Sequence, residues 1–279
     1  MTKLSASAPA TFVSVCSADD RRRTISLRFL MSERIMMFIS PVVLLLIWQV
    51  AAELGVIDQR FFPAPSRIFA NFEELVANGT LWKNTLASLQ RFALGCLVGG
   101  VPALFLGIAM GMSRPLRAIV DPLIAVTYPV PKSAILPLML LIFGLGEGSK
   151  IAMVAIGAFY PIVINSTAGV LSINKIYLDV GTHFRATRWQ MFRTVALPGA
   201  LPFIMTGIKL GAGLALVLIA LAEMVGANRG LGFMIWNSWE VLAVETMYVG
   251  ILVIAFIGFL LTIVLNELEA WLVPWSKRN

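Results

Sequence analysis

Charge is scarce in this chain. Asp, Glu, Lys and Arg make up 13% of its 279 residues, about half the roughly 25% of an average soluble protein. Histidine occurs once, at His183, and cysteine twice, at Cys16 and Cys96. One cysteine falls in a polar stretch and the other in an apolar run, so a disulfide is not expected. No Cys/His cluster has metal-ligand spacing. The Gly-x4-Gly-Lys-Ser/Thr phosphate loop is missing; GLGEGSK at 144–150 has the wrong order. Neither His-Glu-x-x-His nor Gly-x-Ser-x-Gly occurs. These absences argue against an enzyme, and against a nucleotide or metal cofactor held by this chain.

What the chain has is apolar length. Hydrophobic residues make up 58% of it, and its mean hydropathy is +0.85. A soluble domain cannot hide that much apolar surface, but a bilayer can. Six runs approach the roughly 20 residues a membrane helix needs: 35–54, 90–112, 118–143, 151–173, 200–223 and 247–266. Their length fits helices rather than the short alternating strands of a barrel. The expected fold is therefore an all-α polytopic membrane bundle of about six transmembrane helices, spanning residues 35–279. Residues 1–34 read as a mobile cytoplasmic tail. The run after them is as long as a membrane span, which favours an uncleaved first helix over a signal peptide.

The net charge of +7 fits this reading without nucleic acid, because excess Lys and Arg collect in cytoplasmic loops. With the N-terminus inside, fourteen basic residues fall on the cytoplasmic side. Six fall outside: Arg60, Arg67, Lys83, Arg91, Lys150 and Arg229. Both termini are expected in the cytoplasm.

Ionisable groups within spans are costly and are functional candidates. The third run holds Asp121 and Lys132, with Pro129, Pro131 and Pro137 beside them. Three prolines so close predict a broken helix, and broken backbone at membrane depth is tolerated where it is buried or lines a cavity. Lys132 and Ser133 are thus candidates for a solute path; a lysine there favours an anion. Snorkelling or pairing with a carboxylate is the other reading of Lys132. Lys209, in the fifth run, reads as reaching the inner interface. Glu223, at the end of the fifth run, reads as a gate or path residue or as an outer cap. Asn165, Ser166 and Thr167 read as helix-packing groups. Gly95/Gly99, Gly107/Gly111 and Gly207/Gly211 permit close helix approach but define no dimer face.

The longest cytoplasmic connection between spans contains DVGTHFRATRWQMFRTVALPGALP at 179–202. Phe184, Trp189, Phe192 and Val195 bunch on one helical side, among Arg185, Arg188 and Arg193. The pattern predicts a short amphipathic helix stopped by Pro198. It fits equally a helix on the inner leaflet and a docking helix for a soluble partner.

The order of residues resembles a motif of ABC-importer permeases: Glu-Ala-Ala, three residues, Gly, nine residues, Ile, one residue, Leu-Pro. With Pro198 as the final proline, Leu197 matches and Val195 takes the Ile position. Asp179, Val180 and Gly181 take the Glu-Ala-Ala positions, and Arg185 takes the Gly position. FFPAPSRIF at 61–69, YPVPKSAILPLMLLIFGLGEGSKI at 128–151 and AEMVGANRGLGFMI at 222–235 resemble the nitrate, sulfonate and taurine branch of that family. The resemblance runs from about residue 35 to the end of the sequence.

The resemblance implies a permease subunit of a type I ABC importer in a bacterial inner membrane. Residues 174–198 would form a coupling helix seated in a separate ATPase, with Asp179, Gly181, Arg185, Val195, Leu197 and Pro198 carrying the contact. It further implies two ATPase subunits that bind ATP and Mg, a second permease (by default an identical copy) and an extracytoplasmic substrate-binding protein. The solute would be a small anion. A stand-alone secondary carrier using Lys132, Asp121 or Glu223 is the alternative.

Overall fold

The computed structural model describes the backbone of residues 27–275, and most side chains from Ile39 onward. Most of the expected tail at 1–34, and Lys277 and Arg278, lie outside the described residues. The chain divides into two units, Met1–Val50 and Ala51–Asn279. The first contains most of helix α1 (Leu27–Glu53), which carries the first apolar run; within it Ile39–Glu53 is a shorter apolar helix.

The second unit holds the other runs. Helices α2 (Pro65–Ala77), α3 (Thr80–Met112), α4 (Arg114–Thr127) and α5 (Leu136–Phe143) come first. Helices α6 (Glu147–Leu171), α7 (Lys175–His183), α8 (Arg188–Met191), α9 (Leu197–Met224), α10 (Leu231–Glu240) and α11 (Val244–Leu272) follow. Among the described residues α3, α6, α11 and the stretch Trp189–Met224 are long and apolar enough to cross a membrane. Helices α4 and α5, joined through the 3-10 turn Lys132–Ile135, meet at 90° and together make a fifth candidate span. Of the prolines expected to break the third run, Pro129 and Pro131 lie at this bend and Pro137 lies in the first turn of α5. Proline lacks the N–H that would continue α4, and it pushes the preceding residue out of the helical region.

Small residues set the packing. Gly99 lies against Ala155, Gly107 against Val163 and Ser166, and Gly111 against Val170. Position along α3 rises with position along α6, so the two helices run parallel. Gly157 meets Ala215, Gly169 meets Ala200, and Gly211 meets Ala158. Here the order reverses, so α9 is antiparallel to α6. In lipid there is little hydrophobic drive between helices, and close backbone approach with van der Waals packing takes its place. The glycine pairs of the sequence are thus seams within one chain. Ala103, Met110, Val154, Ala158, Ile162 and Ala215 fill the space between α3, α6 and α9. The Thr167 hydroxyl donates to the Gly107 carbonyl at 3.1 Å, tying α6 to α3, in keeping with a packing role for that polar trio.

This arrangement fixes two ends. The segment from α7 to the start of α9 joins the C-terminal end of α6 to α9. The start of α3, the start of α6 and the end of α9 meet at the opposite end.

Candidate functional site

At the first end, residues 174–196 fold as two short helices with a tight link. The Asn174 side chain caps α7 by accepting from the Ile176 N–H at 3.0 Å. α7 ends where the Arg185 N–H donates to the Thr182 carbonyl (3.0 Å) and the Ala186 N–H to the Gly181 carbonyl (2.9 Å). This bond pair is a Schellman motif, whose C′ residue must adopt the left-handed conformation that favours glycine. That residue is Arg185, at φ 52°. Arg185, at the Gly position of the motif, therefore makes the turn that a glycine makes more easily.

α8 then starts at once. Thr187 and Gln190 form a reciprocal capping box: the Thr187 N–H donates to Gln190 Oε1 at 2.8 Å, and the Gln190 N–H to Thr187 Oγ1 at 3.3 Å. Gly181 faces the end of the Met191 side chain, so α7 folds back on α8. The expected stop at Pro198 is not found. Phe192–Ala196 form a π-turn, in which the Leu197 N–H reaches back to the Phe192 carbonyl. Pro198 then lies in the first turn of α9, where its missing N–H is not needed. Val195, Leu197 and Pro198 are partly buried at this junction, and Asp179 is exposed on α7. Trp189 stacks on Phe192 with ring centroids 5.3 Å apart. Phe184 and Trp189 are 83% and 67% exposed, and Ile176, Tyr177 and Val180 are also exposed.

At the other end lies a buried charge network that the sequence did not reveal. Arg91 on α3 is 4% exposed and Glu223 near the end of α9 is fully buried. Arg91 Nη1 donates to Glu223 Oε1 at 2.8 Å and to the Arg229 carbonyl at 2.6 Å. Its Nε and Nη2 make a bidentate pair with Glu147, at 2.5 and 2.7 Å. Glu223 also accepts from the Ser88 hydroxyl (2.7 Å) and the Gly232 N–H (3.0 Å). Ser88 Oγ accepts from the Leu231 N–H, and Asn84 Oδ1 from the Gly230 N–H. Gly230 has φ 129°, and a Cβ there would lie 2.5 Å from the Glu223 carboxylate oxygens. The network thus ties α3, α6, α9 and the loop before α10 into one polar core.

Lys150, one turn into α6, is 2% exposed. Its ammonium donates to the carbonyls of Leu145, Gly146 (3.0 Å) and Gly226 (2.8 Å). A cavity of about 400 Å³ is lined by Lys83, Arg91, Glu147, Lys150, Asn228 and Arg229, among others. In the sequence these basic residues counted only toward orientation.

Lys132 sits at the break in the third run. Its ammonium donates to the carbonyls of Thr127 (3.0 Å), Tyr128 (2.8 Å) and Val130 (3.0 Å) and lies 4.2 Å from the centre of the Tyr160 ring. It caps the backbone that the prolines leave open and makes a cation–π contact. Ser133 is exposed beside it, and Asp121 is exposed on α4. Tyr160 and Glu147 are separated by nearly four turns of α6, about 20 Å. Lys132 and Glu223 are therefore not brought into one cluster. Lys209 pairs with Glu269 of α11.

Long apolar helices, a polar two-helix segment at one end and a buried charge network at the other define a polytopic, all-α membrane protein. The chain belongs to the family described as binding-protein-dependent transport system inner membrane component, whose model matches residues 103–278. It is 38% identical over 238 residues to the taurine transport system permease protein of Escherichia coli (strain K12), covering 84% of this chain and 86% of that protein. It is 34% identical over 237 residues to the putative aliphatic sulfonates transport permease protein of Bacillus subtilis (strain 168), covering 85% and 86%. With the nitrate import permease protein of Synechocystis sp. it shares 30% over 268 residues, covering 92% and 96%. A chain of the MetNI methionine ABC transporter in inward-facing form has a similar fold, with a TM-score of 0.50 and 19% identity. That likeness covers 71% of this chain and 96% of the other.

Proposed function

We propose that this chain is the permease subunit of an ABC importer that moves a small oxyanion across the bacterial inner membrane. ATP hydrolysis in a separate pair of ATPase subunits drives it through residues 174–198. The observation that carries the reading is the two-helix segment itself. Its ends are capped by Asn174 and by the Arg185 turn, and it holds Ile176, Tyr177, Val180, Phe184 and Trp189 outward. A rigid, exposed apolar patch among arginines suits a seat in a soluble partner. The Leu197–Pro198 junction runs on into α9, so a push on the segment reaches a long helix directly.

The solute class rests on the relatives, which are named for taurine, aliphatic sulfonates and nitrate. These share an oxyanion group. Charge bias supports cytoplasmic termini. A second copy of the chain and an extracytoplasmic binding protein complete the assembly. Lys132 and Ser133 remain the proposed path residues at mid-depth, with Glu223 at the outer end. The secondary-carrier reading has less support, since Lys132, Asp121 and Glu223 share no hydrogen bond or ion pair.

A pull-down of the tagged chain from its native membrane in mild detergent tests the reading. An ATPase should be recovered with wild type and lost when residues 185–198 are replaced. Recovery of no ATPase with wild type would overturn it.

A further inference from the structure

Lys150 poses a problem of charge. A buried ion without a counter-ion costs several kcal/mol even after relaxation. All three ammonium protons of Lys150 go to carbonyl oxygens, and no carboxylate lies within ion-pair distance of it among the described residues. The two nearest carboxylates share the single charge of Arg91, so their second negative charge balances Lys150 without touching it. Glu147 gives both oxygens to Arg91, and Glu223 is held by Arg91, Ser88 and Gly232. Lys83 and Arg229 rim the same cavity, are exposed, and form no ion pair among the described residues. Lys83, Arg91, Lys150, Arg229 and Glu147 thus line about 400 Å³ of open space, and with Glu223 bonded to Arg91 the set keeps the positive charges of Lys83 and Arg229 in surplus.

We propose that this cavity is a binding site for a small oxyanion such as a sulfonate, drawn by the surplus positive charge that Lys83 and Arg229 bring to it. The Arg229 guanidinium and the Lys83 ammonium are the free donors. A guanidinium fork matches two oxygens of an oxyanion, and a lysine adds a mobile point charge. Lys150 has no proton to spare and contributes a fixed positive field from behind. A cleft whose lining carries an excess of one sign of charge concentrates ions of the other. Glu147 on the wall opposes a tight hold. The site is therefore a weak one, suited to an anion in transit. Its role as the outer receiving point rests on the transport reading, which sets this end of the bundle outside; the binding itself does not.

The test is equilibrium dialysis of radiolabelled methanesulfonate against the purified full-length chain, in detergent and chloride-free buffer. The expected result is saturable millimolar binding, displaced by nitrate and not by choline. It should weaken at least tenfold in a Lys83→Gln/Arg229→Gln variant and stay unchanged in Arg60→Gln. Both replaced side chains are exposed and unpaired, so unfolding temperature should match wild type; each single variant should weaken binding about threefold or more. Absence of binding, equal binding in the double variant, or loss on Lys132→Met alone would overturn the site. ATPase recovery in the same preparations separates the two readings. Recovery without anion binding defeats only the site, and anion binding without recovery defeats only the transport reading.

Discussion

Arg91 and Glu223 meet at 2.8 Å across 132 residues of sequence, and both are buried. Each is also held by further partners. Removing one member of such a pair leaves an uncompensated buried charge, which costs about 3–5 kcal/mol. Arg91→Met leaves Glu223 buried without a cation and should lower the unfolding temperature in detergent strongly, whereas Glu223→Met should lower it less, because Arg91 keeps its bidentate pair with Glu147. The double variant should recover a large part of the loss, because replacing both partners removes the unpaired charge. Additive losses would mean that the two residues act separately.

Arg185 sits at φ 52° in the link between α7 and α8. A non-glycine residue in the left-handed region carries strain of about 1 kcal/mol relative to glycine. Arg185→Gly should slow hydrogen exchange over 175–191, and Arg185→Ala should change it little. Arg185→Val should speed it, because a β-branched residue tolerates positive φ worst. Faster exchange in the glycine variant would show that the arginine side chain, rather than the turn, orders the segment.

The α3–α6 seam predicts a contrast between two glycines. A Cβ at Gly99 would lie 2.6 Å from the Ala155 Cα, which is backbone and cannot yield. One at Gly213 meets nothing within 4 Å. Gly99→Ala should destabilise the chain by about 1–3 kcal/mol through overpacking. Gly213→Ala should be neutral or stabilise by up to about 1 kcal/mol. Thermal unfolding of the two variants side by side reads the difference directly.

Lys132 closes three carbonyls at the bend between α4 and α5. Hydrogen bonds from a charged donor contribute about 1.5–3 kcal/mol each when well buried, and less at this half-exposed site. Lys132→Met should lower stability modestly and reduce uptake. Lys132→Arg should restore more of the stability than of the uptake. Full uptake in the methionine variant would remove Lys132 from the path.

Much of this was legible in the residues. Five of the six apolar runs fall on helices or on the broken pair of the second unit, because a period near 20 apolar residues has few other uses. Pro129, Pro131 and Pro137 marked the break for a local reason, the missing N–H. The Pro198 stop failed because a π-turn at Phe192–Ala196 shifts the hydrogen-bond register just before it, and nothing in the local pattern announces a π-turn. The charge network was hidden for a different reason. Arg91, Lys150 and Glu223 stand at the edges of apolar runs, where charges usually anchor helices to the interface. Only the packing of α3, α6 and α9 shows that they turn inward to one another. The capping box at Thr187 and Gln190 was readable as Thr-x-x-Gln and marks where α8 begins.

ATP-driven uptake in proteoliposomes tests the central claim most directly. The chain would be reconstituted with its co-purifying ATPase and binding protein, and uptake of labelled taurine and nitrate followed with and without ATP. Wild type should accumulate at least one of them only with ATP. A variant with 185–191 replaced by Gly and Ser should keep its unfolding temperature and lose both uptake and bound ATPase. Uptake by the purified chain alone, under an ion gradient and without ATP, would contradict the account.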